Sequence, residues 1–216
     1  MISFLKNNLF WTEALPIFFV ILGVGVVSLI FYKPFLFVVF GFFLFCLFFF
    51  RNPDRVCNEA STDSSVIISP ADGKIIDIVY DEKNGIEGYA QRVSIFLSPF
   101  DVHVNWAPIS GKIKEVKYKK GAFKVAYLPK SSELNERNDL LIEDEDGRTI
   151  RVRQIAGTIA RRIVCWKREG ELVEAGQKFG MIKFGSRVDI LLPAAAKLNV
   201  GIGQKVYGGQ TVLGRW

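Results

Sequence analysis

The chain has 216 residues, of which 50% are hydrophobic, and a formal net charge of +6. This length allows one compact domain of ordinary size in addition to a membrane segment. The positive balance favours an anionic partner. Because the sequence has no basic helix, zinc-finger spacing or aromatic ribonucleoprotein motif, anionic lipid is a better candidate than nucleic acid. The three cysteines lack metal-ligand spacing, so we expect neither a metal site nor a disulfide.

Residues 1–50 are predicted to form a membrane anchor. Two apolar runs, 16–32 and 34–50, are separated by Lys33 and Pro34, and a membrane-spanning helix needs about 17–25 residues. A helical hairpin is the preferred interpretation, and a single kinked insertion or a re-entrant hairpin is the alternative. Basic residues flank both runs. By the positive-inside rule, this predicts that the rest of the chain lies on the cytoplasmic face of the inner membrane.

Residues 51–216 are predicted to form a mainly β domain of the α+β class, a compact barrel or sandwich. Short apolar or alternating runs separated by turn signals predict the strands. They cover residues 66–68, 75–80, 93–97, 102–106, 113–118, 140–143 and 149–155. One helix is predicted over residues 157–166, because Ile159, Ile163 and Trp166 would then share a face.

A pattern recurs near the C-terminus. Residues 170–176 and 203–209 both read Gly-x-x-Val-x-x-Gly, and an apolar strand is predicted after each. The pattern resembles the turn-and-strand unit of biotinyl/lipoyl-type barrels. It supports an alternative function, that of a non-catalytic, membrane-anchored barrel adaptor or transport-complex subunit. A swinging-arm carrier is disfavoured because no lysine stands at a hairpin tip.

The dipeptide Gly185-Ser186 has a specific chemical potential. A serine hydroxyl can attack the carbonyl carbon of the preceding residue, and glycine there offers the least hindrance and tolerates backbone strain. If the resulting ester undergoes β-elimination, the chain is cut after Gly185 and Ser186 becomes a pyruvoyl group. An ordinary turn is the alternative interpretation of the dipeptide.

Six segments make the chain similar to the phosphatidylserine decarboxylase family in its short form. In chain order they are FFRNPDR (49–55), SPADGKI (69–75), FLSPFDVHVN (96–105), QIAGTIARRI (154–163), GQKFGMIKFGSRVD (176–189) and GQTVLG (209–214). The resemblance implies a membrane-bound, self-processing enzyme that makes phosphatidylethanolamine. Its cofactor would be the pyruvoyl group generated from Ser186, which accepts the substrate amine as a Schiff base and acts as an electron sink. It also implies a heterodimer of chains 1–185 and 186–216.

The predicted catalytic residues are Ser186, His103 and Asp72. His103 is the single histidine of the chain, and strand alternation would align it with polar neighbours on one face. We expect it to handle protons during decarboxylation, a task for which imidazole is suited near neutral pH. In longer members of the family, an aspartate, a second histidine and the serine form a relay for self-cleavage. Trp106 stands at the place of that second histidine, so the relay is not intact here.

Basic residues are the predicted contacts to the lipid phosphate. Lys119, Lys120 and Lys124 lie close together in the sequence, near aromatic residues that suit a membrane boundary. Solvated surface charge is the alternative interpretation. The sequence as a whole therefore predicts pyruvoyl-dependent decarboxylation of phosphatidylserine at an anionic membrane, with the adaptor as the alternative.

Overall fold

The computed structural model describes residues 9–81, 88–121, 135–157, 162–183 and 186–216. These residues form two compact units, Met1–Pro53 and Asp54–Trp216.

The N-terminal unit is a pair of apolar helices. Helix α1 spans Leu9–Phe31, a 3-10 turn follows at Lys33–Phe35, and helix α2 spans Leu36–Phe49. The rings of Phe18 and Phe43 meet edge to face, with centroids 5.7 Å apart, so the two helices pack against each other as a hairpin. By length and composition, Glu13–Phe31 could cross a membrane, whereas the second apolar helix is shorter.

The second unit begins with a short helix, α3 (Asn58–Thr62), and continues almost entirely as β-strands. The described strands are β1 (Val66–Ile68), β2 (Gly73–Tyr80), β3 (Gln91–Leu97), β4 (Val104–Trp106), β5 (Gly111–Lys119), β6 (Arg137–Glu143), β7 (Thr149–Ala156), β8 (Arg162–Cys165), β9 (Leu172–Val173), β10 (Lys178–Lys183), β11 (Ser186–Leu192), β12 (Lys197–Leu198), β13 (Lys205–Val206) and β14 (Val212–Arg215). The prediction of a mainly β domain is confirmed.

The strands form one large sheet and two small ones. The large sheet has the order β13-β2-β3-β11-β7-β6-β5-β9, and the small sheets have the orders β4-β10-β8 and β1-β14-β12. Buried aliphatic and aromatic side chains from all three sheets meet in one core, among them Ile95, Val152, Phe179, Ile182 and Leu213. None of the sheets formed by the described strands closes on itself, so a closed barrel is not seen in this part of the chain.

The predicted helix over residues 157–166 is wrong in its second half. Residues 162–165 form strand β8, which pairs antiparallel with β10. Residues 158–161 lie outside the described residues. Ile163 and Val164 are β-branched and favour extended structure. Pairing with β10 satisfies their backbone groups at the edge of the small sheet, so this part of the segment is extended.

The two Gly-x-x-Val-x-x-Gly segments adopt the same local structure. In each, both terminal glycines have a positive φ, from +73° to +88°, and a two-residue strand lies between them. The central residues Val173 and Val206 are buried. Only glycine adopts this left-handed conformation without strain, which explains the glycines at both ends of the repeat.

Candidate active site

Ser186 is the first residue of β11, a central strand of the large sheet. It pairs with Leu97 of β3 on one side and with Ala156 of β7 on the other. The side chain is completely buried, and its Oγ has no hydrogen-bond partner among the described residues. A buried hydroxyl is normally hydrogen-bonded, so an unpaired one invites a functional explanation. Phe184 and Gly185 lie outside the described residues.

His103 lies beside the strand that leads into Gly185-Ser186. Strand β10 pairs with β4 so that Met181 faces Val104, and the backbone N–H of Ile182 donates to the carbonyl of His103 at 3.1 Å. The imidazole is buried, and its Nδ1 donates to the carbonyl oxygen of Asp101 at 3.0 Å. In the neutral ring this leaves the lone pair on Nε2, the form that a proton acceptor requires.

Gln154 joins the large sheet to the small sheet that carries His103. Its amide Nε2 donates to Oδ1 of Asn105 at 2.9 Å and to the carbonyl of Val164 at 3.3 Å, and its Oε1 accepts from Asn138 at 3.0 Å. Gly180 of β10 packs on this amide, because an added Cβ would lie 3.0 Å from Nε2. The amide is fully buried, so its hydrogen bonds fix the separation of the two sheets.

Strand register places His103 and Ser186 at the same end of the sheets. Ala156, the partner of Ser186, lies two residues beyond Gln154 on β7, and His103 lies two residues before Asn105, just outside β4. Both steps lead toward the end of the sheets that is formed by the last residues of β10 and the first residues of β11.

Asp72 occupies a different position, next to Trp106. Both carboxylate oxygens of Asp72 pair with the guanidinium of Arg55, and Oδ1 also accepts the backbone N–H of Gly208 at 2.8 Å. The same guanidinium donates to the carbonyl of Gly208 at 2.9 Å and lies 5.0 Å above the ring centroid of Trp106. Trp106 is three residues, about 10 Å, along the strand from His103. The carboxylate of Asp72 is thus engaged by Arg55 and Gly208.

Trp106 is also packed closely against two glycines. An added Cβ at Gly208 would lie 2.3 Å from its ring, and one at Gly209 would lie 2.9 Å from it. These distances are shorter than van der Waals contact, so only glycine fits at both positions. Trp106, Val104 and Val102 form a small buried cluster on the face of β4 opposite Asn105. Within β4, Asn105 thus faces away from Val104 and Trp106, whereas Asp101 and His103 precede the strand.

Two of the predicted lysines, Lys119 and Lys120, do not converge on Ser186. Lys119 is the last residue of β5 and pairs with Arg137 of β6. The cross-strand neighbours continue from Arg137 to Ile155 of β7 and then to Arg187 of β11, so all four side chains lie on one face of the sheet. Arg187 lies on the sheet face opposite Ser186, because adjacent residues of a strand face opposite sides. Lys119 is exposed on that same opposite face, and Lys120 is exposed just beyond the strand. Lys124 lies outside the described residues.

A buried ion pair that the sequence analysis did not identify adjoins the serine. Arg187 Nε donates to Asp189 at 2.6 Å, and its Nη2 donates to Ser94 of β3 at 2.7 Å. Arg187 and Asp189 are completely buried, like a second pair formed by Arg153 and Asp139 on β7 and β6. The sequence signal was an arginine and an aspartate two residues apart inside an apolar strand.

Cys165 is not suited to nucleophilic chemistry. Burial raises the pKa of its thiol, and contacts with Lys167 and Asn138 offset this only in part. The thiol therefore stays protonated near neutral pH, whereas the thiolate is the reactive form.

Fold and site together define a mainly β protein whose central strand begins with a buried serine that has no hydrogen-bond partner among the described residues, with a buried histidine at the same end of the sheets. The family model for phosphatidylserine decarboxylase matches residues 42–214. The chain is 48% identical over 174 residues to the phosphatidylserine decarboxylase proenzyme of Syntrophus aciditrophicus, covering 79% of each chain. It is 44% identical over 183 residues to that of Salinibacter ruber, covering 84% of this chain and 80% of the relative. It is 45% identical over 172 residues to that of Desulfotalea psychrophila, covering 79% of each chain.

The chain belongs to the phosphatidylserine decarboxylase family. The identities extend over about four fifths of each chain, so they include the β domain and not merely one motif.

Proposed function

We propose that the chain cleaves itself between Gly185 and Ser186 and then decarboxylates phosphatidylserine to phosphatidylethanolamine. The observation that carries the proposal is the hydroxyl of Ser186, which is fully buried and has no hydrogen-bond partner among the described residues. Family membership supplies the reaction and the substrate class. A hydroxyl without a competing hydrogen bond keeps its lone pairs available for attack on the adjacent carbonyl.

Self-cleavage begins with an acyl shift. Oγ of Ser186 attacks the carbonyl carbon of Gly185, and the C–N bond of the Gly185–Ser186 peptide breaks. The hydroxyl proton passes to the nitrogen of Ser186, and an ester now joins the two residues. Removal of the Cα proton and cleavage of the Cβ–Oγ bond release residues 1–185 with a C-terminal carboxylate. One water then replaces the nitrogen of the dehydroalanine left at residue 186, ammonia departs, and a pyruvoyl group remains.

The surroundings of Ser186 fit such a group. Its neighbours in the register are Leu97 and Ala156, two buried apolar residues, and its hydroxyl, which the conversion removes, makes no hydrogen bond to the described residues. The pyruvoyl carbonyl would accept the substrate amine and withdraw electrons as carbon dioxide leaves. Strand pairing on both sides of β11 would keep this end of the short chain fixed.

His103 is the residue that we assign to proton transfer. Its ring is oriented by the hydrogen bond from Nδ1 to the carbonyl of Asp101, so that Nε2 is the atom that takes or returns a proton. The hydrogen bond between the backbones of Ile182 and His103 supports a place for this ring near the end of β10 that precedes Ser186. We assign Asp72 to positioning, because its carboxylate holds Arg55 against Trp106 and the backbone of Gly208.

Location and assembly complete the proposal. Residues 1–50 would anchor the enzyme in the inner membrane with residues 51–216 on the cytoplasmic face, where the substrate lies in an anionic bilayer. Chains 1–185 and 186–216 would remain together, since β11 pairs with β3 and β7, β13 with β2, and β14 with β1. The length and hydropathy of Glu13–Phe31 support the anchor.

Electrophoresis and an activity assay test this function together. The purified wild-type protein should run as two chains and release carbon dioxide from phosphatidylserine in mixed micelles. Ser186→Ala should run as one chain and be inactive, whereas Ser69→Ala, which alters another fully buried serine, should still be cut. An uncut, inactive wild-type protein that is stably folded would favour the adaptor.

A further inference from the structure

The loop that connects β3 to β4 carries an exposed aromatic residue next to the site. This loop runs from Leu97, the partner of Ser186, to His103. At its tip the side chain of Phe100 is 69% exposed. A large apolar side chain held in water close to a buried active site suggests contact with a partner.

Two further exposed apolar side chains lie near this loop, on the turns that flank β13. Ile202 is 66% exposed and Tyr207 is 46% exposed. Lys205 of β13 connects Tyr207 to the loop, because its Nζ lies 3.7 Å from Asp101, the neighbour of Phe100, and 5.7 Å from the ring centroid of Tyr207. Phe100 and Tyr207 therefore belong to one surface, and Ile202 lies on the turn that precedes Lys205.

The same surface is basic. Lys205 pairs directly with Lys74 across β13 and β2, and both side chains are exposed. Like charges directly opposite each other in a sheet are destabilising. Asp101 offsets Lys205 alone, and Lys74 has no ion-pair partner among the described residues. An anion bound between the two lysines would relieve this repulsion.

We infer that Lys74, Phe100, Ile202, Lys205 and Tyr207, the loop patch, dock on an anionic phospholipid bilayer and open the site toward its headgroups. Aromatic and aliphatic side chains beside lysines suit the interface of such a bilayer, where apolar groups reach the acyl boundary and lysines meet the lipid charge. The inference rests on the proposed function, because a substrate that stays in the bilayer must meet the site at the membrane surface.

The loop patch lies at the end of the large sheet where β11 begins with Ser186. Lys205, Lys74, Phe96 and Arg187 lie opposite one another on β13, β2, β3 and β11. Three strand spacings of about 4.8 Å separate Lys205 from Arg187, which gives about 14 Å. Arg187 faces the side of the sheet opposite Ser186, so a headgroup would reach the serine around this end of the sheet while its acyl chains remain in the bilayer next to the patch.

The opposite edge of the large sheet supplies a matched control. Leu172 of β9 is 75% exposed and pairs with the exposed Lys112 of β5. This edge combines an apolar residue with a lysine, as the loop patch does, but its surroundings are acidic. Glu143, Asp144, Glu145 and Asp146 line the adjacent cleft of about 700 Å³. An anionic bilayer would be repelled there.

Spin labels test the docking without any need for activity. Full-length protein with its three cysteines replaced would carry a nitroxide at Phe100→Cys or at Leu172→Cys. It would be reconstituted in vesicles of phosphatidylcholine, with or without an equal part of phosphatidylglycerol. The label at position 100 should become accessible to oxygen and protected from a water-soluble nickel chelate, more strongly with phosphatidylglycerol. The label at position 172 should stay in water. Equal aqueous exposure of the two labels would overturn the inference.

Kinetics separate docking from catalysis. A triple variant should be cut normally and should act normally on monomeric short-chain phosphatidylserine. It combines Lys74→Gln, Phe100→Ser and Lys205→Gln. On vesicles its rate should fall at least about tenfold, and Leu172→Ser with Lys112→Gln should match the wild type. A loss on monomeric substrate as well would place the patch in the substrate site and overturn docking. A wild type inactive on both substrates would contradict the proposed function, and the spin labels would still decide the docking.

Discussion

Gln154 donates a hydrogen bond to Asn105 at 2.9 Å and thereby ties the strand next to Ser186 to the strand that follows His103. Both amides are completely buried. A buried amide that spans two sheets costs stability unless all of its hydrogen bonds are made, so it tolerates only one spacing of the sheets. The spacing between the large sheet, which contains Ser186, and strand β4, which follows His103, therefore depends on this contact.

Gln154→Met should slow self-cleavage more than its effect on stability explains. Methionine is similar in length but leaves Asn105 and the carbonyl of Val164 without their donor, which should lower the free energy of unfolding by about 1–3 kcal/mol. Asn138→Ala is the control, because it removes a buried hydrogen bond of the same network within the large sheet. Time courses of cleavage would be compared with urea unfolding. Equal cleavage rates in two equally destabilised variants would show that the cross-sheet contact has no positioning role.

His103→Ala should separate processing from turnover. Cleavage happens once per molecule and tolerates a slow rate, whereas decarboxylation needs a proton at every cycle. We expect much of the variant to be cut, with decarboxylation per pyruvoyl group reduced by about 10²-fold or more, the usual contribution of a positioned acid or base. The measurement is the cleaved fraction together with activity per carbonyl titrated by a hydrazine. A wholly uncut variant would assign His103 to processing, and a cut, fully active variant would leave it a structural role.

Arg55→Met should destabilise the β domain strongly. The side chains of Arg55 and Asp72 are 11% and 5% exposed, so removal of the arginine leaves a buried carboxylate. Loss of one partner of a buried pair costs about 3–5 kcal/mol. Arg55→Met combined with Asp72→Leu should recover much of this loss. Removal of the exposed pair Lys114–Glu143 should cost about 0–1 kcal/mol. Urea unfolding measures all three. The account would be contradicted if Arg55→Met lowered the free energy of unfolding no more than removal of the exposed pair does, because Arg55 would then not be needed to neutralise the carboxylate of Asp72.

Asp63 should make stability depend on pH in the acid range. The hydroxyl and backbone N–H of Ser65, together with Arg215, lower the pKa of its carboxyl. Because the pKa is lower in the folded state, ionised Asp63 stabilises the folded protein at every pH above the ordinary aspartate pKa of about 3.9. It is lost as the pH falls through the lower folded value. Asp63→Asn should therefore be less stable than the wild type at neutral pH, and the difference should vanish in strong acid. Thermal unfolding across this range tests the effect, and a difference independent of pH would contradict it.

The strands of the β domain were predictable because each buries an apolar or alternating run between turn residues. Strands are present at every segment where that pattern occurs, for example 66–68 and 149–155, within a few residues of the predicted ends. The helix predicted over 157–166 is wrong for residues 162–165, because an apolar residue such as Ile163 fits a short strand as well as a helix face. Pairing of β8 with β10, a contact between distant parts of the chain, decides between the two.

The candidate site was predictable in its members and less so in its arrangement. Ser186 and His103 come from local motifs, and the strand register places them at the same end of the sheets. The contacts of Asp72 with Arg55 and Gly208 join residues 17 and 136 positions apart in the sequence. Such contacts follow from the packing of the strands and leave no local sequence pattern. For the same reason the loop patch, whose members lie far apart in the chain, was not identified in place of Lys119 and Lys120.

The central claim is that Ser186 becomes the prosthetic group of the enzyme, and the masses of the purified chains test it most directly. Denaturing mass spectrometry of the wild-type protein should give two species. One should have the mass of residues 1–185. The other should have the mass of residues 186–216 with a pyruvoyl group in place of serine, and it should lack a free α-amine. A single intact species of 24.4 kDa with full decarboxylase activity, or a small chain that begins with an unmodified serine, would contradict the account.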